Sequence, residues 1–365
     1  MIENFVGYMF SHFIVRVLLG AVASIAGALL AQLLGVPLPW LLGPLFLVGS
    51  LRLAKAPVAT IRPLRNVGQW IIGVSLGLYF SPEIGRLVID HWIAFVVGML
   101  VALGLGVFGT WLLCRIGKVD VKTAWFSSAI GGASEMSVLA ERYGARVDLV
   151  ATSHSLRVLA VVTVIPFGFE WAGISGGDVS ALSNIPVNYS DLALIAVTAT
   201  IAAILFTRWR VTSAWVLGPL SVAALLTLLE VTSTSIPGWV INAGQLFLGW
   251  SLGDRYRPAF FKAAPRFLLA VSIFSLTSIL LVGLVGVIAA FLIGLPLPTV
   301  WLGMAPGGLA EMAITAKVLM LGVPMVTAFQ VSRMAFVVTT TGPIYERIIV
   351  PRLGLNDDVP QSSSK

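Results

Sequence analysis

The sequence predicts an all-α integral membrane protein made of two inverted-topology repeats, each with five transmembrane helices and one re-entrant, glycine-rich hairpin. Three observations support this: long apolar runs, motifs that recur at a constant spacing, and loop charges that change sides between the halves. Hydrophobic residues make up 58% of the 365 residues and charged residues only 11%. Soluble domains carry roughly 25% charged residues, so this chain cannot cover an ordinary water-facing surface.

The apolar runs have the length of membrane-crossing helices. The clearest cover residues 14–34, 92–113 and 267–295. About 20 apolar residues span the ~30 Å hydrocarbon core as a helix. The first run is longer than the apolar part of a signal peptide, which predicts a retained membrane helix rather than a cleaved leader.

Two motifs reveal an internal duplication. The segment NVGQWIIGVSLG begins at Asn66 and NAGQLFLGWSLG at Asn242, while GGASEM begins at Gly131 and GGLAEM at Gly307. Both pairs are 176 positions apart. We therefore predict a first membrane repeat over 1–170, an extracytoplasmic connector over 171–189, a second repeat over 190–348 and a disordered cytoplasmic tail over 349–365.

Each repeat is predicted to contain five long helices and one hairpin. In the first repeat these are helices 12–34, 38–54, 64–80, 91–114 and 148–170, and hairpin 122–142. In the second they are helices 190–207, 213–229, 239–254, 267–293 and 324–346, and hairpin 300–318.

The loop charges predict that the two repeats have opposite orientations. Four Lys or Arg residues occupy 52–65, whereas the corresponding loop 230–238 has none; the bias reverses at the next loop, where 255–266 has four and 81–90 has one. Cytoplasmic loops are rich in Lys and Arg. We therefore expect a multi-pass protein of a bacterial inner membrane with both termini in the cytoplasm. Inversion requires an odd number of crossings per repeat, so the hairpin must enter and leave on one side.

The paired Gly-Gly-x-x-Glu-Met motifs are the strongest candidates for a functional site. Adjacent glycines permit a tight turn and close backbone approach to a bound group, and a carboxylate at membrane depth is a functional-site hypothesis by default. A helix that starts there would direct a positive dipole end towards an anion. The candidate residues are Gly131, Gly132, Glu135, Gly307, Gly308 and Glu311.

Arg157 and Arg333 are the expected partners of the two glutamates. They are also 176 positions apart, and each follows its glutamate by 22 residues. Two interpretations stay open. The charges form buried salt bridges that only hold the hairpins, or at least one of them meets a substrate or coupling ion.

Four further polar residues are candidates for substrate or ion binding. His154 corresponds to Gln330, which keeps hydrogen bonding but cannot titrate, so any proton role would be confined to one repeat. Gln69 and Gln245 lie in glycine-rich helices. For these glutamines, close helix packing and a cavity-lining role are both open, because a buried amide is costly without a partner.

Several functional classes are not expected. One cysteine, Cys114, and three widely spaced histidines provide no metal-ligand pattern, and we predict neither metal nor cofactor. The net charge of +7 follows from the loop bias, so no nucleic-acid partner is predicted. We expect no enzymatic activity, since a Glu–His pair is too sparse a signature for catalysis.

The duplicated LGPL, GQ…G and GG…EM motifs resemble those of the membrane AbrB-duplication family, whose members also carry the labels ammonia monooxygenase and AbrB regulator. The resemblance covers residues 10–346. The family is similar in plan to inverted-repeat secondary transporters of the bile-acid and glutamate symporter type, which implies a transport-like fold.

Two functions are predicted from these features. The first is a secondary transporter or exporter of a small anionic or zwitterionic solute, working by alternating access between the repeats. The alternative is a membrane sensor that influences gene expression indirectly and does not translocate its ligand. The expected partners are a small-molecule or ion substrate and the lipid bilayer, and a homo-oligomer is compatible with either function.

Overall fold

A computed structural model describes residues 2–174, 176, 185–256 and 265–353, with the side chains of 2–12 left undescribed. In these ranges the regular structure is helical throughout. The first half contains α1 (Ile2–Leu33), α2 (Pro39–Leu53), α3 (Arg62–Gly77), α4 (Pro82–Asp90), α5 (Trp92–Leu112), α6 (Val121–Ser128), α7 (Ala133–Arg142) and α8 (Val147–Trp171). The second half contains α9 (Tyr189–Arg208), α10 (Ala214–Leu228), α11 (Gly238–Gly253), α12 (Pro265–Ile293), α13 (Leu297–Met304), α14 (Leu309–Val318), α15 (Val323–Ile344) and α16 (Val350–Leu353).

Within the described ranges, five helices are long and apolar enough to cross a membrane: Phe13–Leu33 of α1, Trp92–Gly117, which includes α5, Val147–Trp171, Tyr189–Arg208 and Pro265–Ile293. They confirm the membrane character predicted from composition. The other five predicted crossings are α2, α3, α10, α11 and α15. Helices α2 and α10 have 15 residues each, which at 1.5 Å per residue is about 22 Å. Ten complete crossings therefore stay a prediction.

Helix α4 lies in a segment predicted as a loop. Pro82 occupies its first position, and the Ser81 hydroxyl accepts a hydrogen bond from the Ile84 amide at 3.4 Å. These are helix-start signals. The axes of α3 and α4 differ by 89°, so the two form either one broken span or a re-entrant loop.

The helix bounds repeat with the spacing found in the motifs. Helices α3 and α11 begin and end 176 residues apart, as do α6 and α13, and α7 and α14. Helices α8 and α15 begin 176 residues apart. The duplication is thus visible in the elements as well as in the sequence.

The chain forms two compact units, and each takes helices from both halves. Unit 1 comprises Met1–Gly85, Pro166–Phe260 and Lys317–Met320; unit 2 comprises Arg86–Ile165, Phe261–Ala316 and Leu321–Lys365. The predicted repeat boundaries describe the duplication rather than these units. The predicted disordered tail begins with the helix α16, and its residues from 354 onward lie outside the described residues.

Unit 1 packs helices of one half against helices of the other through glycines. A Cβ atom on Gly73 of α3 would lie 2.5 Å from the Val216 carbonyl oxygen of α10, and one on Gly249 of α11 would overlap the Leu41 carbonyl of α2. The two glycines are 176 positions apart and the two carbonyl residues 175 apart, so the contacts correspond to within one residue of the duplication spacing. Close backbone approach through small residues is the usual way for membrane helices to associate.

Unit 2 contains both broken hairpins. The first is α6 and α7, and the second is α13 and α14. A single buried core joins residues of both, including Trp125, Phe126, Met136, Val300 and Met304. Helices α5, α8, α12 and α15 contribute the remaining long elements of this unit.

Candidate functional site

Ten of the twelve predicted site residues lie in unit 2, at the breaks of the two hairpins. Gln69 and Gln245 belong to unit 1. A Cβ atom on Gly68, beside Gln69, would lie 2.9 Å from the carbonyl oxygen of Gly244, beside Gln245. This contact favours the packing interpretation of the glycine–glutamine motifs.

The hairpin breaks leave backbone carbonyl groups without helical partners. Helix α6 ends at Ser128 and α7 begins at Ala133; α13 ends at Met304 and α14 begins at Leu309. The last carbonyls of a helix have no partner within it, and buried polar groups must be satisfied elsewhere. Each break therefore needs nearby donors.

Two buried arginines supply these donors in the same way. Arg157 of α8 donates from Nη1 to the Ala129 carbonyl at 2.9 Å and from Nη2 to the Gly131 carbonyl at 3.2 Å. Arg333 of α15 donates from Nη1 to the Ala305 carbonyl and from Nη2 to the Gly307 carbonyl, the latter at 2.9 Å. All four acceptors correspond under the 176-residue spacing.

The predicted glutamate–arginine pairing is not what the structure shows. Within the described residues, no ion pair joins Glu135 or Glu311 to Arg157 or Arg333. The arginines are 2% and 4% exposed, and both Nη atoms of each donate to backbone carbonyls, while Nη2 also donates to a neighbouring side chain. The arginines bind the hairpin backbone instead. The partial negative charges of the carbonyl oxygens stabilise each guanidinium, which has no carboxylate partner among the described residues.

The contacts of His154 determine its tautomer. Arg157 Nη2 lies 3.0 Å from His154 Nδ1, and Nε2 lies 2.9 Å from the Phe126 carbonyl. Arginine can only donate, so Nδ1 accepts and the proton is on Nε2. A protonated ring would lose the acceptor and place a second positive charge beside Arg157. His154 is therefore neutral and acts as a hydrogen-bonding strut.

Gln330 makes the corresponding contacts in the second hairpin. Its Oε1 accepts from Arg333 Nη2 at 2.6 Å, and its Nε2 donates to the Leu302 carbonyl at 3.1 Å. Leu302 is the counterpart of Phe126. Glutamine thus reproduces the acceptor and donor of the neutral histidine, and nothing in this geometry requires His154 to titrate.

The Gly-Gly-x-x-Glu-Met motif has a steric explanation that sequence reasoning missed. A Cβ atom on Gly131 would lie 2.8 Å from Met136 Cε, and one on Gly307 would lie 2.6 Å from Met312 Cγ. The second glycine of each motif leaves room for the glutamate instead. In each hairpin, four residues of the motif are therefore coupled by packing.

The two glutamates fold back over the start of their own helices. A Cβ atom on Gly132 would overlap Oε2 of Glu135, and one on Gly308 would overlap Oε2 of Glu311. Each glutamate is the third residue of its helix, the position from which a side chain reaches back to the cap. Each carboxylate thus occupies the positive helix end that we expected an anion to fill, and both glutamates are partly exposed.

Threonines form another pair that the sequence reasoning did not identify. Thr123 Oγ1 accepts from the Arg146 amide at 3.1 Å, and Thr299 Oγ1 accepts from the Gly322 amide at 3.3 Å. Each bond ties the start of a hairpin to the residue that precedes the following long helix. The 176-residue spacing was the signal that could have identified them.

Among the described residues, the contact between Tyr143 and Glu346 has no counterpart in the other half. The Tyr143 hydroxyl donates to Glu346 Oε1 at 2.6 Å, beside the π-helical turn Tyr345–Ile349. Burial, followed by this bond, raises the pKa of Tyr143 to about 12. The phenol is therefore a stable donor at neutral pH. It ties the end of the first hairpin to the turn after α15.

The described residues contain no group of three or more His, Cys, Asp or Glu side chains placed to hold a metal ion.

Comparison with known proteins finds one matching family and two similar bacterial proteins. The model of a family described as "Transition state regulatory protein AbrB" matches residues 40–349. YhjN of Bacillus subtilis (strain 168), a protein without assigned function, is 26% identical over 348 residues, covering 88% of this chain and 90% of YhjN. A candidate regulator named AbrB from Escherichia coli (strain K12) is 25% identical over 320 residues, covering 86% and 90% of the two chains.

Proposed function

The chain belongs to the AbrB family, and from its membrane helices and paired hairpins we propose that it is a secondary transporter of a small anionic or zwitterionic solute. In this proposal the two repeats have inverted topology and alternate access to a shared site. The membrane is the inner membrane of a bacterium, with both termini in the cytoplasm.

The observation that carries the proposal is the matched arginine network of the two hairpins. Irregular backbone at membrane depth is tolerated only where protein buries it or a watery cavity solvates it. Two such breaks, each with a buried arginine, reduce the stability of the fold. A function of the breaks would explain why both repeats keep them. Discontinuous segments in corresponding positions of two repeats are typical of the binding sites of secondary transporters.

The contacts suggest different roles for the charged residues. Arg157 and Arg333 hold the breaks open through the carbonyls that they bind. Glu135 and Glu311 are partly exposed and have no arginine partner among the described residues. We assign to the glutamates the exchange with a coupling ion or solute. An ion gradient is the expected energy source, because the sequence has no G-x-x-x-x-G-K-[ST] motif for ATP.

The transport proposal is tested with purified protein in proteoliposomes. Labelled carboxylates and amino acids are supplied under sodium or proton gradients, and we expect gradient-driven accumulation of at least one. Glu135→Gln and Glu311→Gln should each reduce the rate at least tenfold while leaving thermal stability unchanged. Glu83→Gln is the control, since Glu83 is exposed on α4. Full rates in both hairpin variants would refute the role of the glutamates.

A sensor function is the second candidate, and the names of the matching family and of one relative favour it. The matching family description and the Escherichia coli relative both refer to regulators. A sensor would bind its ligand with measurable affinity and release it on the side from which it came. Saturable binding without accumulation or counterflow in the same proteoliposomes would support this alternative.

A further inference from the structure

A partly buried lysine lies in unit 1, at a broken helix. Lys317 Nζ donates to the Ser75 hydroxyl of α3 at 2.7 Å and lies 5.4 Å from the centre of the Tyr79 ring. Ser75 is only 3% exposed. Tyr79 belongs to the break between α3 and α4, where the helix axes differ by 89°. Lys317 also belongs to unit 1, although the residues on both sides of the segment Lys317–Met320 belong to unit 2.

The contacts of Lys317 within the described part of the chain include no anionic partner. Across the described residues no carboxylate lies within ion-pair distance of it. An ammonium group has three donors, and the Ser75 hydroxyl takes one of them. A hydroxyl and an aromatic face stabilise a cation without neutralising it.

The arginines of the hairpins are poor candidates for binding an anionic solute. Both Nη atoms of Arg157 and of Arg333 already bind carbonyls, and both side chains are almost completely buried. Displacing these bonds would leave buried carbonyls unsatisfied, which is costly. A solute with a negative charge therefore needs another cation.

We propose that Lys317, with Ser75, binds a carboxylate group of the solute. The single positive charge matches a single carboxylate, and a partly buried charge without a counter-charge is costly to keep. The assignment rests on the proposed transport function and specifies the substrate class. It also places anion recognition at the broken helix of unit 1 rather than at the hairpin arginines, whose role the sequence left open.

The test measures thermal unfolding of the purified protein in uncharged detergent with acetate, succinate, aspartate, glucose or putrescine. We expect at least one carboxylate to raise the melting temperature. Lys317→Gln keeps a donor for Ser75 but loses the charge, and should weaken binding at least tenfold. Lys317→Arg should retain most of the affinity. Lys55→Ala is the control, since Lys55 is the exposed lysine at the end of α2.

A measurement on the wild-type protein covers the case in which Lys317→Gln does not fold. The bound carboxylate should protect Lys317 from acetylation by an amine-reactive ester, read by mass spectrometry, and should leave Lys55 reactive. Equal affinity in Lys317→Gln and wild type, or no protection of Lys317, overturns the assignment. The assignment also fails if only glucose or putrescine raises the melting temperature, or if none of the five compounds raises it. It fails as well if only added phosphatidylglycerol stabilises the protein, because the site would then bind a lipid headgroup.

The outcomes separate this site from the transport function. If carboxylates bind through Lys317 but never accumulate in proteoliposomes, the transporter proposal fails and the site stands. If a neutral or cationic solute accumulates, transport stands and the carboxylate site fails.

Discussion

At the scale of single residues, His154 shows how a titratable group can be held in one protonation state by its neighbours. Its Nδ1 must accept from Arg157 and its Nε2 donates to the Phe126 carbonyl. Gln330 repeats both contacts in the other hairpin. The sequence identified the pair of positions, but only the donor and acceptor geometry shows that a neutral strut is what both positions need.

The two hydrogen bonds of His154 predict unequal effects of two substitutions at this position. His154→Gln should keep the melting temperature and the pH profile of transport, because glutamine presents the same acceptor and donor. His154→Leu leaves the Phe126 carbonyl and one Arg157 donor unsatisfied, and should cost about 1–3 kcal/mol of stability for each. Thermal unfolding and transport between pH 5 and 8 check both variants. A pH profile that flattens in His154→Gln would contradict the neutral strut and favour a proton carrier.

At the scale of elements, the hairpins were predictable in position but not in their internal contacts. The predicted hairpin 122–142 corresponds to α6 and α7, and 300–318 to α13 and α14. Glycine pairs and periodic apolar residues are enough to locate a break. They cannot show which way a side chain turns, and the salt-bridge interpretation, one of the two left open by the sequence, has no ion pair to support it among the described residues. The arginines meet carbonyls because those carbonyls are the nearest unsatisfied groups.

The folded-back glutamates predict the effect of adding one methyl group to each hairpin. Gly132→Ala and Gly308→Ala place a Cβ atom where the carboxylates of Glu135 and Glu311 lie, so the carboxylates must leave the helix start. Both variants should lose most transport, with less than about 1.5 kcal/mol of destabilisation because a flexible side chain gives way.

Gly168→Ala is the control for these hairpin variants, because a Cβ atom on Gly168 in α8 meets nothing within 4 Å. It should be neutral or slightly stabilising. Transport at wild-type rates in both hairpin variants, at equal expression, would show that the carboxylate position is unimportant.

At the scale of the whole molecule, the duplication is expressed in two compact units that each combine both halves. The motif spacing revealed the duplication because polar and glycine residues recur too rarely by chance to keep one offset. The sequence could not reveal the units, since which helix packs against which depends on glycine contacts such as Gly73 with Val216 and Gly249 with Leu41. The sequence pattern did not predict helix length either, since α2 and α10 are shorter than a full membrane span.

The proposed inverted orientation of the two halves predicts opposite labelling of two corresponding positions. Lys55 and Val231 are 176 residues apart, follow α2 and α10, and are both exposed. With Cys114 replaced by serine, Lys55→Cys and Val231→Cys each carry the single thiol of the chain. Because Lys and Arg surround the first position and none surround the second, a membrane-impermeant maleimide added to the extracytoplasmic side should label only Val231→Cys. Permeabilised membranes, in which both variants should react, control for thiol access. Labelling of both positions from one side would mean that the halves are parallel, and alternating access between inverted repeats would then have no structural basis.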